Sequence, residues 1–113
     1  MATKLPTPYT RFAKTYKMVW QAYDDLGAAA HGVGPLPPKT RELVKLGMAI
    51  GARLEGAVHA HTRRALEGGA SPAEIRHAAI LAITTLGVPV AMAALTWVED
   101  ILGRKRRAKA RRR

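Results

Sequence analysis

The abundance of alanine constrains the fold of this chain more than any other feature. Alanine occupies 21 of the 113 positions, whereas aromatic residues make up only 5%. Alanine is the strongest helix former, and a core of small side chains requires helices whose backbones approach closely. A β-sandwich, which depends on β-branched and aromatic side chains, is therefore disfavoured. The sequence predicts an all-α protein with no strands.

Apolar spacing and helix-end residues predict about five helices. The first has aromatic and aliphatic side chains three and four positions apart on one face, which is typical of an amphipathic helix. The second begins at Pro37 or Pro38, because proline suits a first helical turn. Gly68 and Gly69 end the third helix. The predicted bounds are about 10–29, 37–50, 53–67, 72–86 and 89–102.

The start of the fourth helix has the clearest local signal in the chain. Ser71, Pro72, Ala73 and Glu74 form a capping-box sequence, in which the serine and the glutamate each satisfy one free backbone N–H. Pro72 occupies the first helical position. The sequence therefore predicts a helix that begins directly after Ser71.

The positive charge is concentrated at the C-terminal end. The whole chain has a formal net charge of +11, but eight of its cations lie in residues 104–113, and residues 1–103 have a charge of only +3. We therefore predict one helical domain over residues 1–103, released at Gly103 into a disordered basic tail over residues 104–113. The tail is expected either to be a solubilising extension or to bind nucleic acid or another polyanion without sequence specificity.

The uncharged segment 78–98 raises the question of a membrane span. It is rich in alanine, threonine and glycine, and Gly87-Val88-Pro89 divides it into pieces too short to span separately. Two core helices joined at this corner are favoured over a kinked span, so no membrane contact is expected. No apolar leader follows Lys4, and a cytoplasmic location is the default expectation.

The chain has no cysteine. Disulfides, thiolate nucleophiles and cysteine-based zinc or iron–sulfur sites are therefore excluded.

Several segments in a fixed order resemble the carboxymuconolactone decarboxylase family, which includes the alkylhydroperoxidase D proteins. They are LPPKTRELVKL at 36–46, HAHTRRAL at 59–66, GASPAEI at 69–75 and GVP at 87–89. The resemblance covers about residues 30–102. It implies an all-helical protomer that assembles into a homo-oligomer, commonly a trimer or a hexamer, with sites on or near helix-packing interfaces. No cofactor is predicted.

The resemblance also implies which residues to examine for chemistry. The peroxidase branch of the family uses a glutamate, a Cys-x-x-Cys pair and a histidine, and these positions match Glu42, Leu54, Ala57 and His61. Both cysteines are absent, so thiol peroxidase chemistry is not expected. The decarboxylase branch has a glutamate four residues before the histidine, and that position is again Ala57. The chain therefore departs from both branches.

Four acid–base residues remain as candidate catalytic groups. They are His61 and Glu42, from the resemblance, together with Glu55 and His59, which lie four positions apart on one helix face. His59 and His61 point about 200° apart on a helix, so a shared metal is not expected and no metal site is predicted. Two of the four also have an ordinary structural interpretation: His61 as a packing residue, and Glu42 as a carboxylate favoured in a first helical turn.

Two functional hypotheses therefore stay open. One is a cofactor-free enzyme of lyase or isomerase type, in which His61 and Glu42 move protons on a small carboxylate, lactone or carbonyl substrate. The other is a non-catalytic oligomeric scaffold whose basic tails bind polyanions multivalently.

Overall fold

The computed structural model describes residues 6–111, without the side chains of residues 105–109. Every regular element in this range is an α-helix, which confirms the predicted all-α class. The part of the chain before Pro37 and the part from Pro37 onward form two compact units. The seven helices are α1 (Thr7–Thr15), α2 (Lys17–Gly32), α3 (Pro38–Gly51), α4 (Glu55–Glu67), α5 (Pro72–Ile80), α6 (Ala82–Leu86) and α7 (Val88–Arg111).

The N-terminal unit contains α1 and α2, where the sequence predicted a single helix over residues 10–29. The helix is interrupted at Tyr16, whose φ of −121° and ψ of 62° lie outside the helical region. No glycine or proline marks this break. The Tyr16 ring packs on that of Phe12 with centroids 5.2 Å apart. Neither helix contains a buried residue, so the predicted apolar face, which includes Val19 and Leu26, is exposed.

The unit from Pro37 onward begins with two helices, α3 and α4, that pack along each other. Both end in the same hydrogen-bonded arrangement, the Schellman motif, which requires one residue with a left-handed backbone. Gly69 supplies it after α4, with a φ of 100°, as the Gly68-Gly69 pair predicted. Arg53 supplies it after α3, with a φ of 57°. The left-handed position after α3 is therefore occupied by arginine, a residue with a Cβ, and not by glycine.

The capping box at α5 forms as predicted. The Ser71 hydroxyl accepts a hydrogen bond from the Glu74 backbone N–H at 3.1 Å, and the Glu74 carboxylate accepts one from the Ser71 N–H at 2.8 Å. The predicted single helix over residues 72–86 is interrupted at Leu81 into α5 and α6, although Leu81 keeps helical dihedral angles. Gly87, with a φ of 101°, forms the predicted corner before α7.

Helix α7 packs against α4, α5 and α6 and closes the core of this unit. The largest fully buried apolar side chains are those of Leu46, Ile50, Ile75, Val58 and Val98. Alanine supplies half of the buried apolar cluster, with members on α3, α4, α5 and α7. This matches the predicted core of small side chains between closely packed helices.

The last helix does not end at Gly103. Helix α7 continues to Arg111, so the predicted disordered tail is helical in its backbone as far as that residue, and residues 112–113 lie outside the described part of the chain. One glycine costs a helix only about 1 kcal/mol relative to alanine. Arginine, lysine and alanine, which make up residues 104–111, are all strong helix formers. The local propensity therefore carries the helix beyond Gly103.

None of the helices in residues 6–111 is both long and apolar enough to cross a membrane.

Candidate acid–base site

Glu42 and His61 form a buried pair between α3 and α4. The Glu42 Oε1 and His61 Nδ1 atoms are 2.8 Å apart, and the two side chains are 7% and 13% exposed. Glu42 lies in the second turn of α3. A carboxylate interacts favourably with the helix dipole only in the first turn. The interpretation of Glu42 as a first-turn residue is therefore wrong, because its carboxylate contacts a histidine instead.

This contact orients the imidazole ring so that Nδ1 faces Glu42 and Nε2 does not. Opposite an ionised carboxylate, which can only accept, His61 Nδ1 carries the proton and donates the hydrogen bond to Glu42 Oε1. In the neutral ring the other nitrogen, Nε2, then has a free lone pair. Within residues 6–111, Glu42 is the hydrogen-bond partner of His61. The arrangement is that of a histidine whose tautomer and orientation are set by a carboxylate, with the second nitrogen available to accept a proton.

The two positions that match the family's cysteines lie at the start of α4. Leu54 is the residue before the first turn and is exposed, whereas Ala57 packs against the apolar core. Neither side chain can form a thiolate or a sulfenic acid. The acid–base pair is thus present without the thiols that accompany it in the peroxidase branch.

His59 lies on α4 as well, but it contacts a different carboxylate. Its Nε2 atom is 2.9 Å from Asp100 Oδ2 on α7. Glu55 was predicted to interact with His59 from the same helix face, but the hydrogen bond of His59 is with Asp100. Glu55 still lies nearby, because one carboxylate oxygen of Glu55, one of Asp100 and a ring nitrogen of His59 are all within 4.8 Å of one another. His59 and His61 therefore interact with separate carboxylates on separate helices.

Asp100 is the residue that the sequence reasoning missed. It lies 41 positions after His59. The available signal was the pair Glu99-Asp100, which directly follows the uncharged segment 78–98. A charged pair near the predicted end of a helix is ordinarily solvated, so the pattern did not indicate a contact.

Asp100 also lines an open groove along α7. The groove has a volume of about 660 Å³ and a mixed polar and apolar wall. Its lining residues are Met92, Leu95, Thr96, Glu99, Asp100, Gly103 and Arg104.

Two further ion pairs hold the helices of this unit together. Arg76 on α5 contacts Glu99 on α7 through its guanidinium, and the hydrogen bond to Glu99 raises the pKa of Arg76. Lys39 Nζ on α3 lies 3.1 Å from Glu74 Oε2 on α5. The pKa of Glu74 is lowered, first by the backbone N–H of Ser71 and then by Lys39. Both pairs tie the start or middle of α5 to a neighbouring helix.

Comparison with known proteins agrees with this fold. A crystal structure of an apo carboxymuconolactone decarboxylase family protein from Legionella pneumophila is similar, with a TM-score of 0.70 over 84% of this chain and 88% of that one. The two sequences are 24% identical, so the likeness concerns the fold alone.

A sequence relative is an uncharacterized protein of Haemophilus influenzae, 41% identical over 57 residues. The aligned region covers 50% of each protein, so the chain spans about half the length of that relative. The family model described as the carboxymuconolactone decarboxylase family matches residues 19–100, a range that includes both Glu42 and His61. Because this match extends over most of the sequence, the chain belongs to the carboxymuconolactone decarboxylase family.

Proposed function

We propose that this protein is a cofactor-free acid–base enzyme of lyase or isomerase type that acts on a small carboxylate, lactone or carbonyl substrate. The observation that carries the proposal is the buried contact between Glu42 Oε1 and His61 Nδ1 at 2.8 Å. It leaves Nε2 as the proton acceptor of the neutral ring. Membership of the carboxymuconolactone decarboxylase family supports the substrate class.

In the proposed reaction, His61 Nε2 removes a proton from a carbon next to a carbonyl group. The electron pair of the broken C–H bond moves toward the carbonyl oxygen, and the imidazole becomes an imidazolium. The Glu42 carboxylate stabilises that positive charge through Nδ1. The Nε2 proton then returns to another atom of the intermediate, so that His61 ends the cycle neutral, as general acid–base catalysis requires.

The test is a substrate screen with small lactones, β-keto acids and unsaturated carboxylates, followed by a variant series on the best substrate. His61→Gln keeps the size and one hydrogen-bonding group but cannot titrate, and it should lower kcat by roughly 10²-fold or more. His59→Gln is the matched control, because its side chain contacts Asp100 instead of Glu42. Equal losses in the two variants, or an unchanged kcat in His61→Gln, would contradict the proposed base.

A second candidate function is polyanion binding by the C-terminal end of α7. Eight of the last ten residues are cationic, and the helix extends to Arg111, so the positive charge is carried at the end of a folded element. Such a segment should bind nucleic acid without sequence preference, with an affinity that falls steeply as salt rises. In an assembly, the segments of several protomers would bind together.

Deletion of residues 104–113 tests this second function. Fluorescence anisotropy with labelled single-stranded DNA of two unrelated sequences should give equal affinities for the intact chain and no binding for the truncated chain. Circular dichroism checks that the truncated chain stays helical. Retained affinity with the same salt dependence would place the phosphate contacts on residues 1–103 instead.

A further inference from the structure

We propose that Glu55, His59 and Asp100 form a binding site for a divalent transition-metal ion, separate from the Glu42–His61 pair. Each side chain offers one ligand atom, and the three atoms lie within 4.8 Å of one another. Two carboxylate oxygens and one imidazole nitrogen are donors that such ions accept readily. The two negative charges of the carboxylates also balance the charge of a divalent ion when the imidazole is neutral.

The distance between His59 and Asp100 fits two neighbouring ligands of one ion. Ligand atoms about 2.1 Å from a metal and at right angles to each other are about 3.0 Å apart, whereas at a tetrahedral angle they are about 3.4 Å apart. The observed Nε2–Oδ2 distance is 2.9 Å. This is the length of the hydrogen bond between them, and it also matches two neighbouring ligands of a six-coordinate ion, the geometry that Mn²⁺ prefers.

The backbone holds two of the ligands firmly and leaves the third adaptable. His59 is in the interior of α4 and Asp100 is in α7, two helices that pack against each other. Glu55 is the first residue of α4 and is exposed, so its side chain can move onto an ion at little cost. The spacing of four residues between Glu55 and His59 places both on one face of the helix.

The site would also be accessible from outside. The side chains of His59 and Asp100 are 20% and 41% exposed. Asp100 also lines the groove of about 660 Å³ along α7, although Glu55 and His59 do not. An ion held by Asp100 would therefore lie at the edge of this groove and could be reached from it.

Metal binding by the purified full-length chain, without a histidine tag and after dialysis against a chelator, tests the proposal. Mn²⁺ is titrated and the free ion is measured by electron paramagnetic resonance. We expect saturable binding of one ion per chain, and displacement of Mn²⁺ by Zn²⁺, which binds nitrogen and oxygen donors more tightly. Absence of saturable binding would overturn the proposal and leave His59 and Asp100 as a hydrogen-bonded pair between two helices.

Substitutions locate the bound ion. Loss of a residue that only hydrogen-bonds to a metal ligand weakens binding by about 10- to 100-fold, so the loss of a direct ligand in Asp100→Asn or His59→Gln should weaken Mn²⁺ binding by at least about 100-fold. Glu55→Gln should also weaken it. His61→Gln should bind as the unmodified chain does, because His61 contacts Glu42.

Two controls keep the result interpretable. Asp24→Asn removes one exposed carboxylate from α2 and should leave the affinity unchanged, which separates ligand loss from a change in net charge. Thermal unfolding in the absence of metal shows whether Asp100→Asn is folded. Unchanged binding in both Asp100→Asn and His59→Gln would place the ion elsewhere and contradict the assignment.

Discussion

Glu42 on α3 and His61 on α4 are 19 positions apart in sequence, yet their side chains meet at 2.8 Å inside the helical unit. Both are largely withdrawn from water, with 7% and 13% of their side chains exposed. A polar group buried in this way costs free energy unless it is hydrogen-bonded. The pair therefore contributes to stability as well as to the proposed chemistry.

The first prediction concerns the stability of this pair. Glu42→Ala removes the only carboxylate bonded to His61 in the described chain and leaves a buried imidazole N–H unsatisfied. It should lower the free energy of unfolding by about 2 kcal/mol. Glu42→Gln keeps an acceptor and should cost less. Urea denaturation measures both, with Asp24→Ala, an exposed site on α2, expected to change stability by less than about 0.5 kcal/mol. A Glu42→Ala chain as stable as Asp24→Ala would show that the pair adds nothing to folding.

The second prediction compares the two Schellman motifs. Gly69→Ala adds a Cβ to a residue with a left-handed backbone, and this Cβ would meet no neighbouring atom within 4 Å. The substitution therefore adds only backbone strain, and it should destabilise the protein by about 1 kcal/mol. Arg53→Gly removes the same strain at the end of α3 and should stabilise it by up to about 1 kcal/mol, reduced by the entropy of glycine in the unfolded chain. Thermal unfolding of the two variants should shift in opposite directions. Shifts of the same sign would contradict the backbone assignment.

The third prediction is a pH dependence at the start of α5. The pKa of Glu74 is lowered from its usual value of 4.5 by the Ser71 N–H and by Lys39. A carboxyl with a lowered pKa in the folded state stabilises the fold above its unfolded pKa, and this contribution disappears as the pH falls through the folded pKa. Glu74→Gln should therefore be less stable than the unmodified chain at neutral pH and equally stable in strong acid.

Denaturation at a series of pH values measures this difference. Ser71→Ala provides the partner variant: loss of the capping hydroxyl should cost about 1 kcal/mol. Most of this cost should persist at all pH values, because the hydroxyl itself does not titrate and its hydrogen bond is the smallest of the causes that lower the pKa of Glu74. A Glu74→Gln deficit that stays constant into acid would show that ionisation of Glu74 does not contribute.

The fourth prediction is a homo-oligomer, as the family resemblance implies. Neither α1 nor α2 buries a residue, and Met18 is 88% exposed and Met48 67% exposed. Large exposed apolar side chains on a chain of this size are expected to be covered by further copies of the chain. Light scattering should give a mass that is a multiple of 12.2 kDa, the trimer or the hexamer being expected. A monomer mass throughout the micromolar range would contradict this prediction.

The fifth prediction is the absence of thiol-dependent peroxidase activity. The chain has no cysteine, and the two positions that match the peroxidase cysteines are Leu54 and Ala57. Without a thiolate no sulfenic acid can form. Metal-free protein should not couple oxidation of a dithiol to reduction of an organic hydroperoxide. As a gain-of-function arm, Leu54→Cys combined with Ala57→Cys restores the missing sulfurs beside His61, and any activity should appear only in that double variant.

Local features of the fold could be predicted because they depend on a few neighbouring residues. The capping box joins Ser71 to Glu74 three positions later, and the Gly68-Gly69 end of α4 depends on backbone conformation within one turn. Breaks without a glycine or proline were not predictable in this way. Tyr16 interrupts the first helix, and Arg53 adopts a left-handed conformation that its residue type does not favour.

The candidate site residues also differ in whether the sequence could predict their contacts. Glu42 and His61 were selected by resemblance to a family, because residue spacing alone does not indicate which helices face each other. Asp100 was not selected, although its carboxylate lies 2.9 Å from His59. Contacts over 41 positions depend on how α7 packs on α4, and this packing is decided by the fit of many small side chains together.

By itself, the sequence therefore determined the helical class, the lack of thiol groups and those helix ends that proline, glycine or a capping box marks, since composition and short-range hydrogen bonds suffice for these. The tertiary structure decided which carboxylate each histidine contacts: Glu42 for His61, and Asp100 for His59. It also decided that α7 continues through Gly103. The physical reason is that side-chain pairing between helices follows from their packing, whereas capping follows from the order of residues along the chain.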